Sequence, residues 1–403
     1  MNTQPRNSMT EMTKKTILRC TVLSTLVLLW QPLLQAQNAV EPGVLRALNI
    51  ADGPRNGAGD LIQLQDGRIK LIYTRMEAEG RSDFRTSHLA GRISDDNGRT
   101  WTGADEVVLE NEGRLNTMSV SLLRMDDGRI AMFYCVKNSL GDCRPFVRFS
   151  NDETESWSAP ITIISDDDVG YYVLNNDRVI QLGNGRLVAP VALHNTPEWT
   201  ASTRRTDKWA DIVPDENDEL GWTQHGHIMC YLSDDAGKTW RRSRTVLTGE
   251  REKGDRVMLQ EPGVVPLKDG RVMMWFRTDT GRQWMSLSSD GGETWSAIEP
   301  APIDSPRSPA SIERIPATGD LLLIWNRDPR EASKYRTPLN TAVSTDEGAT
   351  WTKLRVLEPN LSSQYCYAGA LFLEDRHVLI HFREGSDLKV DRVALDWLYR
   401  QGS

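Results

Sequence analysis

The 403-residue chain is predicted to be all-β and to fold as a six-bladed β-propeller, because two different repeats interleave along it. The first repeat is an eight-residue box, Ser-x-Asp-x-Gly-x-Thr-Trp, at Ser94–Trp101, Ser233–Trp240, Ser288–Trp295 and Ser344–Trp351. A degenerate copy at Ser150–Trp157 carries Thr154 in the Gly position and Ser156 in the Thr position. Successive boxes start 56, 83, 55 and 56 residues apart, and self-similarity at a near-constant period marks a repeat architecture. The second repeat is a pair of apolar runs flanking an Asp-Gly or related turn. It spans Leu61–Arg75, Val120–Val136, Val179–Leu193, Val264–Thr278 and Ile312–Asn326, with a last copy at Ala370–Glu384 turning on Asp375-Arg376. Short β-rich runs around such turns are a strong hairpin signal.

Each element has a physical reading. In the box, Ser and Asp side chains bond nearby backbone groups and Gly supplies a positive φ at no steric cost. The Trp ring is expected to bury while its N–H keeps a polar partner. Six hairpins, with a box after each of the first five, imply six four-stranded blades, the sixth completed by the N-terminal segment. A ring of blades leaves only short, protected strand edges. The 83-residue interval places an insertion in the third blade, in the polar stretch Asn195–Asp218, read either as a rim loop or as a solvated excursion.

The first 37 residues read differently. Lys14, Lys15 and Arg19 precede an apolar run from about Thr21 to Leu34, followed by small and polar residues around Ala36. This is the pattern of a secretory signal peptide. The expected organisation is therefore a leader at 1–37 and a propeller at 38–403, secreted or periplasmic. Gln31-Pro32 interrupts the run, which is short for a membrane span, so no stable span is expected after leader removal. An uncleaved anchor is the competing reading.

Formal net charge is −8, and the leader carries +3 of it, leaving about −11 on the remainder. An acidic chain with no basic tract excludes nucleic acid as a partner. An anionic ligand would need a local Arg cluster rather than the overall field. Cys135 and Cys143 flank a strand connection and are placed to pair in an oxidising compartment. Cys230 and Cys366 read as structural thiols. With no Cys-x-x-Cys or similar spacing, no metal and no cofactor are expected.

In a propeller the inner-strand ends converge on the channel mouth. Arg75, Arg277, Arg327 and Glu384 stand at near-equivalent positions after the second strands of hairpins. Arg55 and Glu261 precede hairpins, and Asp83 and Arg336 lie between hairpin and box. Solvated ion pairs are the bland alternative for each. Tyr171, Tyr172, Asn175, Asn176, Asp177 and His194 form a polar-aromatic group read either as a sugar-contacting loop or as a plain turn.

The boxes and the segments between them resemble those of the sialidases over essentially the whole chain after the leader. The resemblance implies a site with an Arg triad, a Tyr–Glu nucleophile pair and an Asp acid/base. Leu259-Gln260-Glu261-Pro262-Gly263 is similar to the segment supplying the Glu partner of the nucleophile, which assigns Glu261. Met273–Arg277 and Arg336 resemble the second and third triad positions. Cys366-Tyr367-Ala368-Gly369 falls where the nucleophile is expected, favouring Tyr367, with Tyr365 its competitor. Asp83 matches the acid/base, Arg75 an additional substrate-binding Arg, and Glu384 the acid that orients the first triad Arg. The chain departs at the start: the family's Phe/Tyr-Arg-Ile-Pro is replaced by Gly53-Pro54-Arg55-Asn56-Gly57, leaving Arg55 as the candidate for the first triad position.

The chemistry is coherent. A sialic acid carries a carboxylate on its anomeric carbon, and Arg forks bind carboxylates in a planar, bidentate way. That carboxylate would repel an Asp or Glu nucleophile, whereas a neutral Tyr with a Glu to take its proton avoids the repulsion. An Asp acid needs a raised pKa or a shielded setting. The resemblance implies an exported, retaining exo-α-sialidase whose partners are sialylated or other acidic glycans. Two alternatives compete: a glycosidase or lyase for another acidic sugar, and a non-catalytic carbohydrate-binding propeller. None of these patterns sets an oligomeric state.

Overall fold

The computed structural model describes Met1 and residues 42–77, 83–195, 225–250, 256–328 and 335–400. Apart from Met1, the expected leader at 1–37 lies outside the described residues, as does all of the expected insertion beyond Asn195. Strands dominate, and helix among the described residues is limited to short segments such as Asp166–Asp168 and Leu395–Tyr399.

Four sheets are four-stranded meanders. The first runs Asn56–Gln63, Ile69–Met76, Ser87–Ser94, Glu106–Leu109. A second runs Gln260–Pro266, Val272–Arg277, Arg282–Ser288, Glu299–Asp304, and a third Ser311–Arg314, Leu321–Asn326, Leu339–Ser344, Thr352–Glu358. The fourth joins the two ends of the chain. Val44–Ile50 pairs antiparallel with Asp387–Ala394, from Val44↔Val393 to Ile50↔Leu388, and so becomes the outer strand beyond Tyr365–Leu373 and His377–Glu384. The N-terminal segment therefore completes the last sheet, as the box count implies.

The second and third hairpins do not form the separate sheets expected of them. They share one nine-stranded sheet. The join is Tyr171–Val173, which pairs antiparallel with Leu187–Asn195 and meets Asp142–Ser150 in parallel at Tyr171↔Cys143. The segment after the second box is extended here, and its free backbone groups satisfy both neighbouring strands at once.

The boxes build as their chemistry dictates. In the first, Gly98 N–H donates to Ser94 Oγ (2.9 Å), Thr100 N–H to Asp96 Oδ1 (2.8 Å) and Thr100 Oγ1 to Asp96 Oδ2 (2.6 Å). The degenerate copy keeps the pattern: Thr154 N–H reaches Ser150 Oγ (2.8 Å) and Ser156 Oγ reaches Asp152 Oδ2 (2.5 Å). Thr154 also adopts φ 75°, matching Gly98 at 75°. The Trp expectation is met in part. Trp240 and Trp295 donate to Gly237 O and Gly292 O (3.1 Å each), while Nε1 of Trp101 and of Trp351 has no partner.

Apolar clusters fill the spaces between sheets. One combines Ile69, Leu71 and Tyr73 of the first sheet with Leu379, Leu388 and Val390 of the last. The first strands of the sheets lie beside one another: Asn56–Gln63 touches both Asn116–Arg124 and Tyr365–Leu373, and Gln260–Pro266 touches Ser311–Arg314. Four of these first strands carry the same irregularity. The register shifts at Gly57/Asp60, Met118/Ser121, Gln260/Gly263 and Cys366/Gly369. Each shift holds a non-Gly residue at positive φ: Ala58 (47°), Ser119 (62°), Glu261 (48°) and Tyr367 (55°). Such bulges re-aim a side chain out of the alternating pleat, and strained backbone of this kind clusters at functional sites.

Candidate active site

The bulges open onto a cavity of about 350 Å³, within the range of small-ligand sites. Glu261 and Tyr367 are the two positive-φ bulge residues with ionisable side chains, and they meet at its lining. Tyr367 Oη donates to Glu261 Oε1 at 3.3 Å. Glu261 Oε2 is held by Arg277 Nη1 at 2.8 Å, with both side chains buried. Burial pushes the Glu261 carboxyl up, but Arg277 and Arg336 outweigh it and hold the group below its ordinary value. Glu261 is thus an ionised acceptor. The nearby Glu261 charge, and then burial, raise the Tyr367 phenol, so it keeps its proton. The guanidinium of Arg383 sits over the Tyr367 ring, 5.1 Å from its centroid.

Asp83 approaches from the connection beyond the first hairpin and pairs with Arg55. Its side chain is about half exposed and lines the cavity. Burial acts to raise its pKa, but Arg55, Lys137 and Arg383 prevail and bring it down to about 2. Lys137, 2% exposed, donates to the Asp83 carbonyl at 2.7 Å and lies over the rings of Phe84 and Tyr171. The lining carries six cationic side chains, Arg55, Lys137, Arg277, Arg307, Arg336 and Arg383, against the two carboxylates of Asp83 and Glu261. Such an excess in a concave site focuses a positive potential on an anionic ligand.

The structure brings Arg55, Asp83, Glu261, Arg277, Arg336 and Tyr367 to one wall. It does not bring Arg75 or Glu384 there. Arg75 turns to Asp105 (2.5 Å) and Asp52 (3.4 Å), and Glu384 pairs with Lys389 and accepts from Tyr365 Oη at 3.2 Å. Tyr365 is fully buried, away from the cavity. Register explains the difference. The residue opposite the position before each bulge faces the cavity: Thr74 opposite Gly57, Arg277 opposite Gln260, Arg383 opposite Cys366. Arg75 and Glu384 are one residue further along, and one residue reverses the facing of a strand side chain.

Arg383, Lys137 and Arg307 are site residues that sequence reasoning missed. For Arg383 the signal was period-two facing counted from the bulge. Of the polar-aromatic group, Tyr171, Tyr172 and Asn175 line the cavity, whereas Asn176, Asp177 and His194 do not. Cys135 and Cys143 line it as free thiols in mutual contact, not as a disulfide.

The fold is sialidase-like by comparison with solved structures. Among solved structures, similarity extends to a protein of unknown function from Dyadobacter fermentans, with TM-score 0.64 and 19% identity over 87% of this chain and 100% of that one. The Hadza microbial sialidase Hz136 gives TM-score 0.64 and 16% identity, covering 84% of this chain, which spans 66% of the sialidase. The NanB sialidase of Streptococcus pneumoniae gives TM-score 0.64 and 13% identity, covering 89% and 71%. No curated protein matches the sequence. The chain belongs to the BNR repeat-like domain family, whose sequence model matches residues 109–380. Among the described residues, no helix is long and apolar enough to cross a membrane.

Proposed function

We propose that the chain is an exported exo-α-sialidase, a retaining glycoside hydrolase that releases terminal sialic acid. The carrying observation is the Tyr367 hydroxyl on the Glu261 carboxylate, inside a cavity with an excess of cationic side chains. The same reading takes the five sheets as six blades, with the nine-stranded sheet counting as two, and places the leader at 1–37.

In this reading Arg277, Arg336 and Arg383 receive the sugar carboxylate. Tyr367 Oη attacks the anomeric carbon as its proton passes to Glu261, and the glycosidic C–O bond breaks as Asp83 protonates the departing oxygen. Water then attacks the tyrosyl-linked carbon, returning a proton to Asp83, while Tyr367 recovers its own from Glu261. Asp83 rests ionised beside Arg55. A bound carboxylate cancels part of the positive field that depresses it, so the substrate itself raises the acid toward its working state.

A second reading, a glycosidase for another acidic sugar, draws support from Arg55. Its guanidinium is engaged with Asp83, and the segment around it lacks the family's Phe/Tyr-Arg-Ile-Pro. The deciding experiment is release of fluorophore from an α-sialoside and from uronic acid glycosides by the purified protein, beside Tyr367→Phe. Cleavage of the sialoside alone, lost in the variant, supports the first reading. Cleavage of uronosides alone supports the second, and no cleavage of either by folded protein removes both.

A further inference from the structure

Outside the cavity lining, Asp60, Asp177 and His381 bring their ligand atoms within 4.8 Å of one another. They come from separate parts of the chain: the strand Asn56–Gln63, the approach to Ile180–Gln181, and the strand His377–Glu384. That spread fits ligands about 2.0–2.5 Å from a shared ion, since opposite ligands then stand twice that distance apart.

His381 supplies the independent observation. Its side chain is fully buried, yet neither ring nitrogen has a hydrogen-bond partner, and Nε2 lies 4.0 Å from Asp60 Oδ1. Buried polar atoms are nearly always paired, so an orphaned imidazole calls for an occupant. An imidazole nitrogen free of hydrogen bonds has the lone pair a metal needs. The backbone keeps the space clear: a Cβ at Gly369 would overlap both Asp177 Oδ2 and His381 Nε2. The carboxylates are also oriented from behind, Asp60 by the N–H groups of Leu61 and Leu122 (2.7 Å each) and Asp177 by that of Ala370 (3.1 Å). Outer partners of this kind fix metal ligands.

We propose that Asp60, Asp177 and His381 bind a divalent cation through two carboxylates and one imidazole nitrogen. The mixed oxygen and nitrogen donors suit Zn²⁺ or Mn²⁺ rather than Ca²⁺, which takes oxygen ligands. The nearby guanidinium of Arg178 donates to Ala310 O, Ser311 Oγ and Asp177 O rather than to either carboxylate, so it does not take up their ligand positions. The ion's role is to pin three sheets behind the Tyr367 bulge, where Asp177 holds Ala370 and Asn176 Nδ2 donates to the Tyr367 carbonyl at 3.3 Å. The inference holds whichever glycan the cavity takes.

The test is the metal content and thermal midpoint of the full chain, prepared without chelator or metal-affinity resin. About one equivalent of Zn²⁺ or Mn²⁺ per chain is expected, directly or after adding the metal salt to chelated protein, with a midpoint that falls on chelation and returns on refilling. His381→Ala should abolish both the bound metal and the response. Gly369→Ala, which fills the space while keeping all three ligands, should do the same and guards against a folding defect peculiar to the first variant. No binding by purified or refilled wild type overturns the proposal. So does a midpoint response that survives both substitutions, and restoration by Ca²⁺ alone overturns the donor assignment.

Discussion

Tyr367 and Glu261 owe their confrontation to two backbone positions at positive φ, where neither residue type is at home. If the pair acts as nucleophile and base, Tyr367→Phe and Glu261→Gln should each lower kcat by about 10²–10⁴-fold with KM nearly unchanged, measured on whichever acidic glycoside the wild type cleaves. Asp83 makes a pH prediction. Its folded pKa of about 2 lies below the ordinary 3.8, so the unfolded chain takes up the proton first as pH falls. The stabilisation from this group is complete above about pH 4 and lost progressively toward pH 2. Denaturation midpoints from pH 5 to pH 2 should fall less steeply in Asp83→Asn than in the wild type, and equal slopes would remove the Arg55–Asp83 pairing as a source of stability. The gathering was legible in part: the family resemblance placed Tyr367, Glu261, Arg277 and Arg336 at one site, and all four line the cavity. Arg383 was not, because the facing of a strand residue depends on a bulge that no local sequence pattern marked.

At the scale of the element, the box is a turn held by its own side chains, and it tolerates substitution where the bonding atoms survive. Asp235 takes Thr239 N–H and Thr239 Oγ1 and accepts from Ser233 Oγ. Asp235→Ala should cost about 1–2 kcal/mol of stability, since several charge-assisted bonds go at a partly solvated site. Thr154 makes the opposite prediction. A β-branched residue at φ 75° is strained, so Thr154→Gly should stabilise by about 1 kcal/mol in urea titration, and a neutral or destabilising result would show that the Thr side chain compensates. The boxes were readable from sequence because the hydrogen bonds that build each turn lie within its eight residues. The merger of the second and third hairpins into one sheet was not, because it rests on a pairing between Tyr171 and Cys143 across a connection with no distinctive pattern.

At the scale of the molecule, the first described strand closes the last sheet. Ile50 is 1% exposed and packs with Leu388 and Val390. Ile50→Ala should therefore cost about 2–4 kcal/mol, read as a drop in the urea midpoint with unchanged slope. A cost below about 1 kcal/mol would mean that this strand adds little to the core.

The sequence by itself determined what repeats: the all-β class, the hairpins, the boxes and the return of the N-terminal strand to the last sheet. Those features are carried by contacts near in sequence or by a count of repeating units. Tertiary structure decided what faces what. It turned Arg383 toward Tyr367 and Glu384 away, set Lys137 beneath Asp83, and gathered Asp60, Asp177 and His381 from three stretches of chain. A one-residue shift in strand register reverses the face a side chain presents, and register is set by packing across sheets rather than by the neighbours along the chain.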